Sequence, residues 1–165
     1  MLITYRGRIL ALTCALGLFL PGAFAQTTPI VQGNTSEGKP FELSAFRGKV
    51  VFLMFWSTKC AVCRDKMPEI RANHDGWKNQ PFEVVLVNTD KRVKDFDDYE
   101  KVMSRLVPIS SQLTSLWQGD AFYKDNLDSH SQLPASYVID KSGKVVQKYV
   151  GRVPAEAWDK ISELF

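Results

Sequence analysis

One stretch of the 165-residue chain, Val50–Pro68, constrains the fold more than any other. It opens with an unbroken apolar run, Val50–Trp56, whose β-branched and aromatic side chains are typical of a strand buried on both faces. Polar residues 57–59 interrupt this run, and Cys60 and Cys63 then open a helical pattern. The stretch therefore predicts a buried β-strand that leads into the N-terminus of a helix carrying a C-x-x-C pair.

The position of the cysteine pair has chemical consequences. The first turn of a helix has free N–H groups and the positive end of the helix dipole, and both stabilise a thiolate. We expect Cys60 to ionise more readily than a free thiol, since Lys59 and Arg64 add positive charge. Cys63 lies one turn later on the same face, close enough to bond to Cys60. This arrangement suits a dithiol that cycles, with Cys60 attacking a partner's disulfide and Cys63 resolving the mixed disulfide.

The first 25 residues have the organisation of a secretory signal peptide. Arg6 and Arg8 precede an apolar stretch, Ile9–Leu20, and residues 23–25 form an A-x-A cleavage signal. An uncleaved membrane anchor is the alternative interpretation. We therefore expect the protein to act in the periplasm or another extracytoplasmic space.

Cleavage of this peptide would remove Cys14 and leave Cys60 and Cys63 as the two cysteines of the exported domain. A disulfide between them would close almost no loop, so structural stabilisation explains the pair poorly. A zinc site needs about four ligands, and the other good candidates are only His74 and His130. We therefore favour redox chemistry, with the disulfide itself as the reactive group and no cofactor or metal. The mixed, nearly balanced charges do not suggest a nucleic-acid partner.

The rest of the chain predicts one α/β domain over residues 41–165, preceded by an extended lead-in over residues 26–40. A parallel crossover in the first half and an antiparallel hairpin in the second predict a mixed central sheet with helices on both faces. Apart from the first strand, the predicted elements are a helix from Cys60 to about His74, a strand over Phe82–Asn88, an amphipathic helix over Val93–Leu106, a short helix over Asp120–Leu127, strands over Ala135–Ile139 and Val145–Val150, and a last helix starting at Pro154.

Two sequence blocks carry a family resemblance. Residues 48–68, GKVVFLMFWSTKCAVCRDKMP, are similar to the pattern GKxVxxxFWATWCxxCxxExP, and residues 133–151, LPASYVIDKSGKVVQKYVG, are similar to xPTxxxIDxxGxIxxxxxG. Both patterns belong to the exported TlpA/ResA-like thiol–disulfide oxidoreductases, which are related to the AhpC/TSA redoxins and have a thioredoxin-like fold. The resemblance runs from about Gly38 to the C-terminus, and it implies this fold and protein-disulfide oxidoreductase activity.

The resemblance also implies where substrate would bind. Pro134 would follow a cis peptide bond and pack against the disulfide, and the backbone of Leu133 would pair with a substrate peptide like an added strand. We interpret Trp56 mainly as a wall beneath the disulfide, and we count it with Lys59, Leu133 and Pro134 as candidate substrate-binding residues. The implied partners are cysteine-containing exported proteins and a membrane thiol donor or another redox recycling partner.

Several positions depart from the family pattern, among them Gln132, which stands where the family has a glycine two residues before the proline. Lys59 replaces the usual tryptophan before the first cysteine, Lys66 replaces a glutamate, and Met54 stands where thioredoxins have a buried aspartate. We expect no buried acid to serve Cys63 as a proton relay. Family analogy favours reduction over oxidation, whereas the added cations favour a more oxidising disulfide.

Two other functions remain open. A thioredoxin-fold copper chaperone would bind Cu(I) through Cys60, Cys63 and His130, because soft thiolates select that ion. A thiol peroxidase would need a threonine and an arginine around its cysteine, and Thr58 is not at the spacing expected for that role.

Overall fold

The computed structural model describes residues 28–128 and 131–165, and a five-stranded mixed sheet lies at its centre. The predicted signal peptide and His130 lie outside the described residues. No helix within the described ranges is long and apolar enough to cross a membrane. In chain order the elements are β1 (Val31–Asn34), β2 (Pro40–Glu42), a 3-10 helix (Leu43–Phe46), β3 (Val50–Trp56), α1 (Ala61–Gly76), β4 (Phe82–Asn88), α2 (Val93–Leu106), a second 3-10 helix (Ile109–Ser111), β5 (Thr114–Trp117), β6 (Lys124–Asp125), β7 (Ala135–Ile139), β8 (Val145–Val150) and α3 (Glu156–Ser162).

The central sheet has the strand order β5–β4–β3–β7–β8. β3 is parallel to β4 and β4 to β5, whereas β7 is antiparallel to both β3 and β8. Every residue of β3 is buried, as the apolar run predicts for a central strand. The bounds predicted for β3, β4, α2, β7 and β8 are those observed, and the mixed α/β sheet is confirmed.

Alternate residues of β3 face two different hydrophobic clusters, because successive side chains of a strand point to opposite faces. Phe52, Met54 and Trp56 face the cluster that contains the buried residues of α1 and α3. Their neighbours on β3 face a second cluster, which β1, β2 and the first 3-10 helix cover. The α-helices α1 and α3 therefore cover one face, and on the other face the helical cover is this 3-10 turn.

The prediction of a short helix over Asp120–Leu127 is wrong. The Asp120 carboxylate accepts the Phe122 N–H at 2.8 Å, which forms a turn, and β6 then pairs antiparallel with β1. Tertiary pairing with a distant strand here overrides the local helical pattern. The pairing also draws the predicted lead-in into the fold, since Val31 of β1 is fully buried.

The two later helices differ from expectation in detail. α2 is a helix over the predicted range, but Phe96 is its one fully buried residue, and Val102 and Leu106 are exposed. The last helix, predicted from Pro154, begins two residues later at Glu156.

Candidate active site

The two cysteines lie where β3 passes into α1. Cys60 is the N-cap of α1, and a disulfide bond joins it to Cys63. The Cys63 N–H donates to the Cys60 sulfur at 3.1 Å, so a free N–H group of the first helical turn points at this atom. Cys60 is partly exposed, whereas Cys63 is fully buried. Only the first sulfur is therefore open to attack from a partner.

A buried aspartate supports the turn that precedes Cys60. Asp90, in the loop after β4, is 6% exposed. It accepts hydrogen bonds from the Ser57 hydroxyl at 2.5 Å, the Thr58 N–H at 3.1 Å and the Asn88 side chain at 3.0 Å. The sequence pattern, from which we expect no buried acid to serve Cys63 as a proton relay, does not identify this buried acid beside the turn. Its position just after β4 is the signal that points to it, because the carboxyl ends of neighbouring parallel strands meet at one edge of a sheet.

Lys59 is at the rim of the site and is paired with α2. Its side chain is 77% exposed, and its ammonium lies 3.7 Å from a carboxylate oxygen of Asp95. The hydrogen bonds from Arg92, with Lys59 nearby, hold the pKa of Asp95 below its usual value. The cation expected beside the Cys60 thiolate is therefore partly neutralised by a carboxylate.

Lys66 replaces the family glutamate, and it is buried in an ion pair. Its ammonium lies 2.8 and 2.7 Å from the two carboxylate oxygens of Glu69, which also accepts the Trp158 indole N–H. Burial alone would raise the pKa of Glu69, but the hydrogen bonds from Lys66 and Trp158 outweigh it and lower the pKa. Glu69, one turn further along α1, thus supplies the counter-charge to Lys66.

The remaining predicted residues are Trp56, at the end of β3, and the Leu133–Pro134 pair, just before β7. The Leu133–Pro134 peptide bond is cis, as the resemblance implies. Pro134 is buried, and the partly exposed Leu133 packs against the same hydrophobic cluster as Cys60. Trp56 is in that cluster and is fully buried, with its ring 4.7 Å from that of Tyr99. Trp56 is therefore an internal wall and offers no surface to a substrate in this state.

The cysteine pair lies outside a cleft beside α2, and among the described residues it is not part of a metal-binding cluster. This cleft of about 350 Å³ opens between α1, α2 and β5, and neither cysteine lines it. In residues 28–128 and 131–165, no three histidine, cysteine or acidic side chains are grouped so that they could hold a metal ion. His130, on which the copper interpretation depends, is outside those ranges.

Comparisons with known proteins find relatives that are named thiol-disulfide oxidoreductases. Residues 24–148 match the AhpC/TSA family. The thiol-disulfide oxidoreductase ResA of Bacillus subtilis (strain 168) is 31% identical over 154 residues, covering 88% of this chain and 82% of that protein. A ResA of Bacillus cereus is 31% identical over 120 residues, which are 73% of this chain, and the chain spans about 65% of that relative's length.

A solved structure shows the same fold. The solution structure of a candidate thioredoxin from Neisseria meningitidis superposes with a TM-score of 0.68 at 23% sequence identity, covering 84% of this chain and 89% of that one. The family match spans most of the chain and includes both cysteines. The chain therefore belongs to the AhpC/TSA family, is related to the ResA thiol-disulfide oxidoreductases, and has a thioredoxin-like fold.

Proposed function

We propose that this protein is an exported thiol–disulfide oxidoreductase that exchanges disulfides with cysteine-containing proteins. The observation that carries the proposal is the disulfide between Cys60, a partly exposed N-cap residue, and the buried Cys63. The Cys60 sulfur is accessible to a partner protein, whereas the Cys63 sulfur is buried and would react in the second step. The related ResA proteins are named for the same chemistry.

In the reducing direction, the thiolate of Cys60 attacks one sulfur of a substrate disulfide. A mixed disulfide forms, and the first substrate sulfur leaves as a thiolate. Cys63 then loses its proton and attacks the Cys60 sulfur, which releases the second substrate thiolate and closes the Cys60–Cys63 bond. Two electrons pass from the protein to the substrate, and two protons end on the substrate thiols. A dithiol donor must then reduce the protein again, and we propose a membrane thiol carrier for this step.

The pairing of the two unusual lysines supports reduction as the working direction. An unpaired cation beside either cysteine would stabilise a thiolate and make the disulfide more oxidising. Lys59 lies 3.7 Å from the Asp95 carboxylate, and Lys66 is bound by Glu69. Lys66 therefore adds no unopposed positive charge, and the charge of Lys59 is partly offset by Asp95, which it shares with Arg92.

The substrate peptide is proposed to bind beside Cys60 along Leu133 and Pro134. Leu133 is partly exposed, packs on the cluster that contains Cys63 and lies two residues before the start of β7. An extended peptide at this point could add main-chain hydrogen bonds like an extra strand. Lys59 would contact the same peptide from the rim. Export is proposed from the organisation of residues 1–25 as a signal peptide.

The test is the reduction potential of the Cys60–Cys63 pair, followed by Trp fluorescence in dithiothreitol or glutathione buffers. A potential near roughly −270 mV supports a reductase, whereas roughly −120 to −180 mV would indicate an oxidant or isomerase. Cys63→Ser should accumulate a mixed disulfide with a substrate protein, and the matched Cys60→Ser variant should not. The absence of a reversible dithiol–disulfide transition would refute the proposed function.

A further inference from the structure

We propose that Asp90 is a positioning residue for this chemistry: its carboxylate holds the turn that presents Cys60, and its charge opposes ionisation of the Cys60 thiol. The proposal rests on the disulfide exchange proposed above for Cys60. It concerns a side chain in the loop after β4, on a different element from the C-x-x-C pair.

Hydrogen bonds connect Asp90 to the turn before Cys60, directly at Thr58 and through the Ser57 hydroxyl. One carboxylate oxygen accepts the Thr58 N–H at 3.1 Å, and the other accepts the Ser57 hydroxyl at 2.5 Å. The Ser57 oxygen in turn accepts the Lys59 N–H at 3.1 Å, and the Ser57 carbonyl accepts the Cys60 N–H at 3.0 Å. The carboxylate thus fixes, directly or through Ser57, the path by which β3 reaches the N-cap.

Asp90 is itself held rigidly by two neighbouring strands. Its N–H donates to the Asn88 side-chain oxygen at 2.9 Å, and its carbonyl accepts the Trp117 indole N–H at 2.7 Å. Trp117 is seated against Gly119, where an added Cβ would lie 2.6 Å from the indole Cε2. Since β4 and β5 both anchor the aspartate, it can transmit a fixed geometry to the turn.

The charge of Asp90 opposes the stabilisation that α1 gives to a Cys60 thiolate. Burial would raise the pKa of Asp90, but the hydrogen bonds from Ser57 and its neighbours outweigh it and lower the pKa, so the group is a carboxylate at neutral pH. The other charges facing this region are Lys59 on the turn, Arg92 before α2 and Asp95 on α2. Arg92 and Lys59 both form their ion pairs with Asp95, and Arg92 interacts with the Asp90 charge only at longer range. A carboxylate so placed disfavours a second negative charge nearby.

The test compares Asp90→Asn with Asp159→Asn, which removes the same charge from an exposed site on α3. The rate of alkylation of Cys60 by iodoacetamide is measured against pH on each reduced full-length protein, with the reduction potential. We expect the midpoint of the Asp90→Asn profile to fall, the rate below that midpoint to rise about threefold or more, and the potential to become less negative. The profile of Asp159→Asn should coincide with that of the wild type.

A second variant separates charge from simple support of the fold. Ser57→Ala keeps the carboxylate but removes one donor to it, so the midpoint should move to higher pH, opposite to Asp90→Asn. This variant also serves if Asp90→Asn does not fold. The proposal is overturned if Asp90→Asn lowers the melting temperature but leaves the profile at the wild-type position, or if Ser57→Ala shifts the midpoint to lower pH. A wild type without any reversible dithiol transition would instead refute the proposed function.

Discussion

The buried ion pair between Lys66 and Glu69 predicts an unequal response to loss of either partner. The Lys66 side chain is 7% exposed and that of Glu69 is 39% exposed. Glu69→Gln leaves an ammonium group buried without its counter-charge. Lys66→Met instead removes the buried charge, fills nearly the same volume and leaves a carboxylate that water can reach. We therefore expect Glu69→Gln to be the more destabilising change.

The magnitude follows from the exposure of the two side chains. Removing one partner of a fully buried pair costs about 3–5 kcal/mol. Because Glu69 is partly open to water and glutamine retains one acceptor for Lys66 or Trp158, we expect Glu69→Gln to lower the free energy of unfolding by about 2 kcal/mol. The free energy of unfolding of Lys66→Met should stay within about 1 kcal/mol of the wild-type value. The double variant should be as stable as Lys66→Met.

Urea denaturation of the oxidised protein, followed by far-ultraviolet circular dichroism, measures these differences. The pKa of Glu69 is lowered in the fold, so its contribution is present above the unfolded value of 4.5 and is lost as the pH falls through the folded pKa. The stabilities of wild type and Glu69→Gln should therefore converge in acid. The reasoning fails if Glu69→Gln is within about 0.5 kcal/mol of the wild type at pH 7, or if Lys66→Met is the worse variant.

Other changes probe the rest of the domain. Burial raises the pKa of Glu100, so charging it disfavours the fold; Glu100→Gln should match the wild type below pH 4.5 and become relatively more stable as pH rises, measured by urea midpoints. Gly119→Ala should cost about 1–3 kcal/mol, because the new methyl group overlaps the Trp117 indole, and thermal unfolding would detect this. Lys59→Ala should change stability by less than about 0.5 kcal/mol, since its contact with Asp95 is long and exposed, and a larger loss in urea titration would contradict this.

Local sequence patterns correctly predict those strands whose own apolar side chains are buried in the core. The apolar runs of β3, β4 and β7 are bounded by turn residues, and their observed limits follow the predictions. The segment 120–127 does not, because its two-residue strand exists only through pairing with β1, nearly a hundred positions earlier. The residue pattern within segment 120–127 carries no information about pairing with a strand so far away in the chain.

The same limit applies at the active site. The C-x-x-C spacing predicts the disulfide because both cysteines are on one helical turn. Asp90 is invisible to that pattern, since its hydrogen bonds to Ser57 and Thr58 depend on the register between β3 and β4. Sequence comparison therefore finds the reacting atoms more readily than the groups that tune them.

The charge balance around the cysteines decides how the substitutions in this chain should be interpreted. Compared residue by residue with the family pattern, Lys59 and Lys66 each add a cation, which by itself favours a thiolate and an oxidising disulfide. In the fold each cation has a carboxylate partner, Asp95 on α2 and Glu69 on α1. Stabilisation of the thiolate then rests mainly on the N-terminus of α1, and Asp90 opposes it from the neighbouring loop. Under the proposed reductase function, removal of one of these carboxylates should make the disulfide more oxidising. We therefore expect the acids around the disulfide, rather than the two lysines, to set its potential.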